Sequence, residues 1–365
     1  NSFTLEYKCN IYLKNTIHEI WKKTFFSKSS KLILSQKEFF KGQGKIEIDT
    51  INRQSFEKYS KNIKIIFNVQ NFNKDNKAFV QVSTKDSDFY ALINLTEGCR
   101  LQEFSLHRVP IIKELPTFPY SASYASALLF PFVSRTEKGK YTYNGEMYSL
   151  DCNEPEGANA LHGLIYNKPF EFLSSKMNDG RLDLFFSYSE KQKPKGFPFD
   201  YEVNVCYSFT KDSVNVSLEV TNHSDFDFPF TIGWHPYFYV ADYAKAWLEF
   251  SSHQKVIFDE HLITKELVDH STPNRISLHQ QSFDDCFLLN KDLVTLHTSD
   301  YTIEISSEPL EYLQIYTPPN LPLVAIEPMI GLSNSLNNGI GTQELKAGEH
   351  FQTTWKVRMI TTRYE

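Results

Sequence analysis

The sequence predicts an all-β protein, a large antiparallel β-sandwich preceded by a short N-terminal extension. Three observations predict it. From about residue 63 onward, short runs of alternating polar and apolar residues recur between turn signals, the period of half-buried strands. Tyr141–Tyr148 has Asn144-Gly145 between two such runs, and that dipeptide is the strongest short hairpin signal because a type I′ turn needs positive φ twice. The chain also carries 30 Phe and 20 Tyr, residues that favour sheets. No strand–helix–strand rhythm interrupts the pattern, so an antiparallel rather than a parallel arrangement is expected.

Residues 1–62 have a different character. They are rich in Lys, Asn, Ser, Ile and Phe and contain no Pro. Thr16–Phe26 and Ser35–Phe40 fit short helices, and Ser35-Gln-Lys-Glu38 fits a capping box, in which Ser and Glu satisfy each other's free backbone N–H groups. The remaining residues, 63–365, read as one β-domain. Its expected strands include Lys64–Val69, Ala78–Ser83, Phe89–Leu95, Leu182–Tyr188, Glu202–Phe209, Ser213–Val220, Tyr301–Ile305 and Tyr312–Tyr316. Ser213–Val220 alternates without a break, which places its polar residues on one face. Internal repeats and low-complexity linkers are absent from the sequence.

Composition bounds the partners. The net charge is −6, which does not favour polyanions, and no Lys/Arg cluster interleaved with aromatics suggests a nucleic-acid groove. The apolar runs Ser126–Val133 and Leu321–Ile326 are too short to span a bilayer. Five cysteines, Cys9, Cys99, Cys152, Cys206 and Cys286, are scattered without a CxxC or Cys/His spacing. Neither a zinc site nor a disulfide framework is expected, and free thiols fit a reducing, cytoplasmic location. Asn94, Asn215 and Asn222 begin glycosylation sequons, matches that an Asn-rich chain produces by chance. No signal-peptide pattern is read at the start of the chain.

The residues suited to chemistry lie in separate motifs. Gly-Trp-His-Pro-Tyr-Phe at 233–238 presents His235, and Ile-Glu-Pro-Met at 326–329 presents Glu327. Histidine titrates near neutrality and burial raises a carboxylate, so the two can divide acid and base work. Arg135 follows an apolar run, and Asn159 and His162 lie in a Gly-bounded loop where polar side chains are free to enter a cleft. In Phe283-Asp-Asp-Cys-Phe287, alternation sends Asp284 and Asp285 to opposite faces. Each motif alone has a plainer reading: a surface arginine, a structural loop histidine, an acidic turn.

Taken in order, Pro131–Arg135, Tyr143–Tyr148, Asn159–Gly163, Trp234–Phe238, Asp284–Phe287 and Ile326–Met329 resemble the aldose 1-epimerases, or galactose mutarotases. The resemblance spans roughly residues 85–362 and implies a twisted β-sandwich (the galactose mutarotase-like supersandwich) that holds a monosaccharide. Carried over position by position, it implies Glu327 as general base, His235 as general acid and His162 as the histidine beside the ring oxygen. Arg135 and Asp284 match residues that hold sugar hydroxyls, with Asn159 beside them. The implied reaction interconverts the α and β anomers of free hexoses without a metal or cofactor, in a monomer or homodimer. Gly163 is followed by Leu164 rather than a second Gly, Gly233-Trp234 replaces the usual Asn before the histidine, and Ile330 replaces a common Thr. None of these departures removes a proton-transfer group. Hexose-6-phosphate 1-epimerases are the nearest alternative, with Lys138, Lys140 and Lys168 as candidate phosphate cations. A non-catalytic carbohydrate-binding protein and a glycoside hydrolase using Glu327 and Asp284 are others.

Overall fold

The computed structural model describes residues 66–154, 157–273, 275–279, 281–307, 309 and 311–362. The helices expected at Thr16–Phe26 and Ser35–Phe40 lie outside the described residues.

Among the described residues, the strands form a nine-stranded, an eight-stranded and a five-stranded sheet with three two-stranded ribbons. All the pairings are antiparallel, as expected. In the nine-stranded sheet the order is Glu171–Asn178, Arg181–Glu190, Tyr201–Phe209, Ser213–Asn222, His350–Thr362, Tyr301–Ser307, Leu293–His297, Trp247–Glu249 and Ile276–Ser277. The strand Ser213–Asn222 shows why the alternation was legible. Val214, Val216, Leu218 and Val220 are fully buried, while the residues between them stay partly accessible.

The eight-stranded sheet carries the site. Its order is Thr264–Asp269, Ser252–Phe258, Asp284–Leu289, Tyr312–Tyr316, Leu323–Ile330, Ile232–His235 and Ala127–Leu129, with Tyr237–Tyr239 also paired to Leu323–Ile330. One face of this sheet, with Leu128, Trp234, Phe238, Leu313, Ile315, Val324 and Ile326, joins the nine-stranded sheet in one continuous core. Trp234 lies 6.3 Å from Trp355 of the opposing sheet, ring centroid to centroid, at 29°, so two indoles stack across the sandwich. Because the side-chain period is two, the residues between these core positions, Ala325, Glu327 and Met329, point to the other face.

The five-stranded sheet is a meander of Phe67–Lys74, Lys77–Thr84, Phe89–Asn94, Arg100–Leu106 and Val109–Ile112. Phe89 and Phe104 pack on Phe209 of the nine-stranded sheet, with centroids 5.3 and 6.2 Å apart, and the Tyr207 hydroxyl donates to the Cys99 carbonyl (2.7 Å). The first strand runs to Lys74, five residues past the expected run. Its polar end, Gln70–Lys74, has no alternation of its own to read and is held by register with Lys77–Gln81 through the positive-φ pair Asp75 and Asn76.

The Asn144-Gly145 hairpin forms as expected. Lys140–Tyr143 pairs with Glu146–Ser149, and φ is 50° at Asn144 and 81° at Gly145. A Cβ at Gly145 would meet nothing within 4 Å, so only the backbone preference opposes a side chain there. Gly145→Ala is expected to lower unfolding stability by about 1 kcal/mol in urea titrations. A loss as large as that of a buried truncation would mean the turn is packed rather than open.

Candidate active site

Strand register brings the dispersed motifs together. On the face of the eight-stranded sheet away from the main core, Glu327 is paired with Gln314, which is paired in turn with Cys286; Ala325 is paired with Tyr316 and Tyr237, and Tyr316 with Asp284. His235 lies on the strand beside Leu323–Ile330, which makes room for it at Gly233: a Cβ there would come within 3.0 Å of Met329 Cγ and Val133 Cγ1.

The centre of the site is the contact between His235 Nε2 and Glu327 Oε1 at 3.3 Å. Both residues are buried, His235 at 5% and Glu327 at 3% exposure. Burial pushes the Glu327 carboxyl well above the usual carboxylate range; the Asp284 charge adds to the rise and Arg135 opposes it. Burial also lowers the His235 imidazole to about 4. Both groups therefore favour their neutral forms, and the pair holds a single proton that resides on Glu327 at rest. The Tyr237 ring stacks on His235 (5.1 Å, 25°) and fixes the imidazole plane.

His162 meets His235 edge to face, with centroids 4.9 Å apart at 83°. Its backbone is left-handed (φ 62°), and its N–H donates to the Ser134 carbonyl (2.8 Å). Burial lowers its pKa well below the ordinary value, with His235 and Arg135 adding to the fall, so it stays neutral. Its Nδ1 is buried without a hydrogen-bond partner among the described residues. The adjacent Leu161 is clamped by one amide: its N–H donates to Asn153 Oδ1 (2.7 Å), and Asn153 Nδ2 donates to its carbonyl (3.0 Å). Tyr124, also reached by Asn153, packs on the His162 ring at 4.8 Å.

Arg135 begins the strand Arg135–Glu137, paired with Asn159–Leu161. Its Nε donates to Glu154 Oε1 (2.6 Å), and Asn159 Nδ2 donates to Glu154 Oε2 (2.8 Å). Asn159 Oδ1 accepts from the Lys138 N–H (3.0 Å), so both ends of that amide are engaged within the protein. Asp284 stands at the accessible rim and accepts from Gln314 Nε2 (2.8 Å). Desolvation raises its pKa; Arg135 opposes the rise, Asp285 adds to it and the Gln314 bond lowers it again. Asp285 points away, as alternation requires, and pairs with Lys255 (2.6 Å).

The six sequence candidates thus converge, and three partners join them that sequence reading did not single out. Gln314 was accessible to it, being the one amide in the alternating run Tyr312-Leu-Gln-Ile-Tyr316. Asn153 and Glu154 sit in an irregular loop, where no periodicity marks direction.

A buried acid and base side by side, a neutral second histidine, and an arginine with carboxylates at the rim can exchange protons with a small polar molecule and hold its hydroxyls. Residues 80–358 match the family model for aldose 1-epimerase. The chain belongs to the aldose 1-epimerase family. A relative in Escherichia coli K12, Uncharacterized protein YihR, is 23% identical over 282 residues, spanning 73% of this chain and 89% of its own length. Among solved structures, a galactose mutarotase-like protein from Clostridium acetobutylicum superposes with a TM-score of 0.72 at 16% identity, over 82% of this chain and all of its own. The galactose 1-epimerase of Lactobacillus acidophilus does so with a TM-score of 0.67 at 15% identity and the same coverage. These likenesses establish the galactose mutarotase-like sandwich for this epimerase-family chain.

Proposed function

We propose that this member of the aldose 1-epimerase family interconverts the α and β anomers of free hexoses of the glucose and galactose type, with Glu327 and His235 as its proton-transfer pair. The observation that carries the proposal is the 3.3 Å contact between two buried groups of opposite acid–base character. An anomeric carbon bears two oxygens, the hydroxyl that must lose a proton and the ring oxygen that must gain one. Acid and base side by side match two oxygens on one carbon.

Ring opening uses the pair with its proton on His235. Glu327 takes the O1 proton as the C1–O1 double bond forms, the C1–O5 bond breaks, and His235 delivers its proton to O5. The pair is then neutral, with the proton on Glu327, which is the form burial favours. After rotation about C1–C2, the reverse transfers close the ring on the other face. His162, held neutral beside His235, offers a hydrogen bond without adding charge, and Arg135 and Asp284 hold hydroxyls by charged hydrogen bonds.

Unphosphorylated sugar is the better fit because two of the three candidate phosphate cations are engaged elsewhere. Lys168 pairs with Glu190 (3.1 Å) and Lys138 with Glu137 (2.9 Å).

The test is the decay of optical rotation of freshly dissolved α-D-glucose and α-D-galactose, with α-D-glucose 6-phosphate alongside. Faster decay of the free sugars is expected; acceleration of the phosphate alone would overturn the substrate class. The pH profile should be bell-shaped and broad. As pH falls, a second proton on the pair removes the base, with the acid limb near the His235 value of about 4. As pH rises, loss of the shared proton removes the acid, with the alkaline limb set by the raised Glu327. Activity that is flat from about pH 3 to about pH 10 would exclude this pair as the proton carrier.

A further inference from the structure

The charge arrangement around Arg135 bears on which sugars the site admits, and it rests on the function proposed above. Arg135 is the cation that acts on Glu327, Asp284 and His162 alike. Its charge is already paired, because Glu154 is bonded to its Nε at 2.6 Å, with Arg135 at 21% and Glu154 at 15% side-chain exposure. Glu154 is fixed in turn by Asn159, itself 3% exposed and held by the Lys138 N–H. With Arg135 neutralised by Glu154, the rim carboxylate Asp284 leaves the site net negative. Lys255, on the strand beside Asp284–Leu289, is bound to Asp285 on the opposite face.

We propose that Glu154 is a specificity-determining residue: by neutralising and orienting Arg135 it makes the site select uncharged aldoses and reject sugars that carry a carboxylate or phosphate. The guanidinium has further N–H groups beyond Nε, so Arg135 still serves hydroxyls, which need direction rather than net charge. An anionic sugar would bring its charge toward Asp284 without a free counter-charge, and selectivity of this kind arises from repulsion as much as attraction.

The experiment compares D-galactose with D-galacturonate, which share their ring hydroxyls and differ at C6. Binding to wild type, Glu154→Gln and Glu154→Asp is measured by calorimetry at low and moderate salt, with turnover followed separately by optical rotation. Wild type is expected to bind galactose at least about 10-fold tighter than galacturonate. Glu154→Gln is expected to shrink that ratio about fivefold or more, chiefly by gaining galacturonate affinity, and to lose the gain as salt screens it. Glu154→Asp keeps the charge and should restore most of the ratio. A residue that merely shaped the loop would weaken both sugars together, leaving the ratio unchanged, and that result overturns the inference. Should Glu154→Gln fail to fold, equal wild-type affinity for the two sugars overturns it as well. Wild type that binds galactose selectively yet fails to turn over any aldose would refute the proposed reaction while leaving the charge selection standing.

Discussion

Glu327→Gln is expected to lower turnover of free hexoses by about 10³-fold while leaving sugar affinity within about threefold of wild type. Gln keeps the shape of the side chain and one acceptor oxygen, so hydroxyl contacts survive, but it cannot take the O1 proton. His235 cannot replace it: in the same step the imidazole must deliver its own proton to O5, so it is not open to the one leaving O1. The substitution also has a stability signature. Glu327 titrates well above the ordinary carboxylate value because its charged form is buried, so the stabilisation from the neutral form is complete below about 4.5 and is lost as pH rises through the folded-state value. Gln never ionises. The variant should therefore gain melting temperature relative to wild type with rising pH, and the gain should level off once wild-type Glu327 has ionised. Thermal melts across pH, paired with optical rotation, check both halves. Loss of sugar affinity with unchanged turnover would assign Glu327 to binding rather than to proton transfer.

How much of this was legible beforehand depends on what surrounds each strand. Ser213–Asn222 has one face on the core and one partly open, so its period-2 pattern announced both the strand and its orientation. Leu323–Ile330 is buried on both faces throughout; it shows a continuous apolar run broken only by Glu327, and alternation could not say which way the glutamate points. The resemblance of motifs supplied its proposed role, and register with Gln314 supplied its direction. Topology was less accessible still. The last strand, His350–Thr362, inserts between Ser213–Asn222 and Tyr301–Ser307, a pairing between distant segments that no local pattern encodes. Glu154 was missed for a related reason: its partners Arg135 and Asn159 lie 19 residues before it and 5 after, joined only once the loop is folded.

Gly163→Ala is expected to be the most damaging small substitution in the site. Gly163 has φ 79° and directly follows His162 at φ 62°, so two successive residues are left-handed and the second has no polar side chain to ease the conformation. A Cβ there would lie 2.4 Å from the Phe130 carbonyl oxygen, 2.7 Å from its carbon and 2.8 Å from its nitrogen. All three are backbone atoms, so no side chain can swing aside. The segment they belong to is pinned: Leu164 N–H donates to the Phe130 carbonyl (2.7 Å), and His162 N–H donates to the Ser134 carbonyl (2.8 Å). Relief must therefore push the His162 loop away from the Phe130–Arg135 segment, separating His162 from His235 and Arg135 from Asn159 in one movement. A loss of at least about 3 kcal/mol in unfolding stability is expected, from left-handed strain and overpacking together. Whatever folds should have lost most of its turnover. The hairpin glycine isolates the cause, since Gly145→Ala meets the same backbone penalty with open space around it. If urea titrations place the two variants within about 0.5 kcal/mol of each other, the clash with Phe130 is relieved without moving the loop, and the tight turn at Gly163 is not what holds His162 against His235.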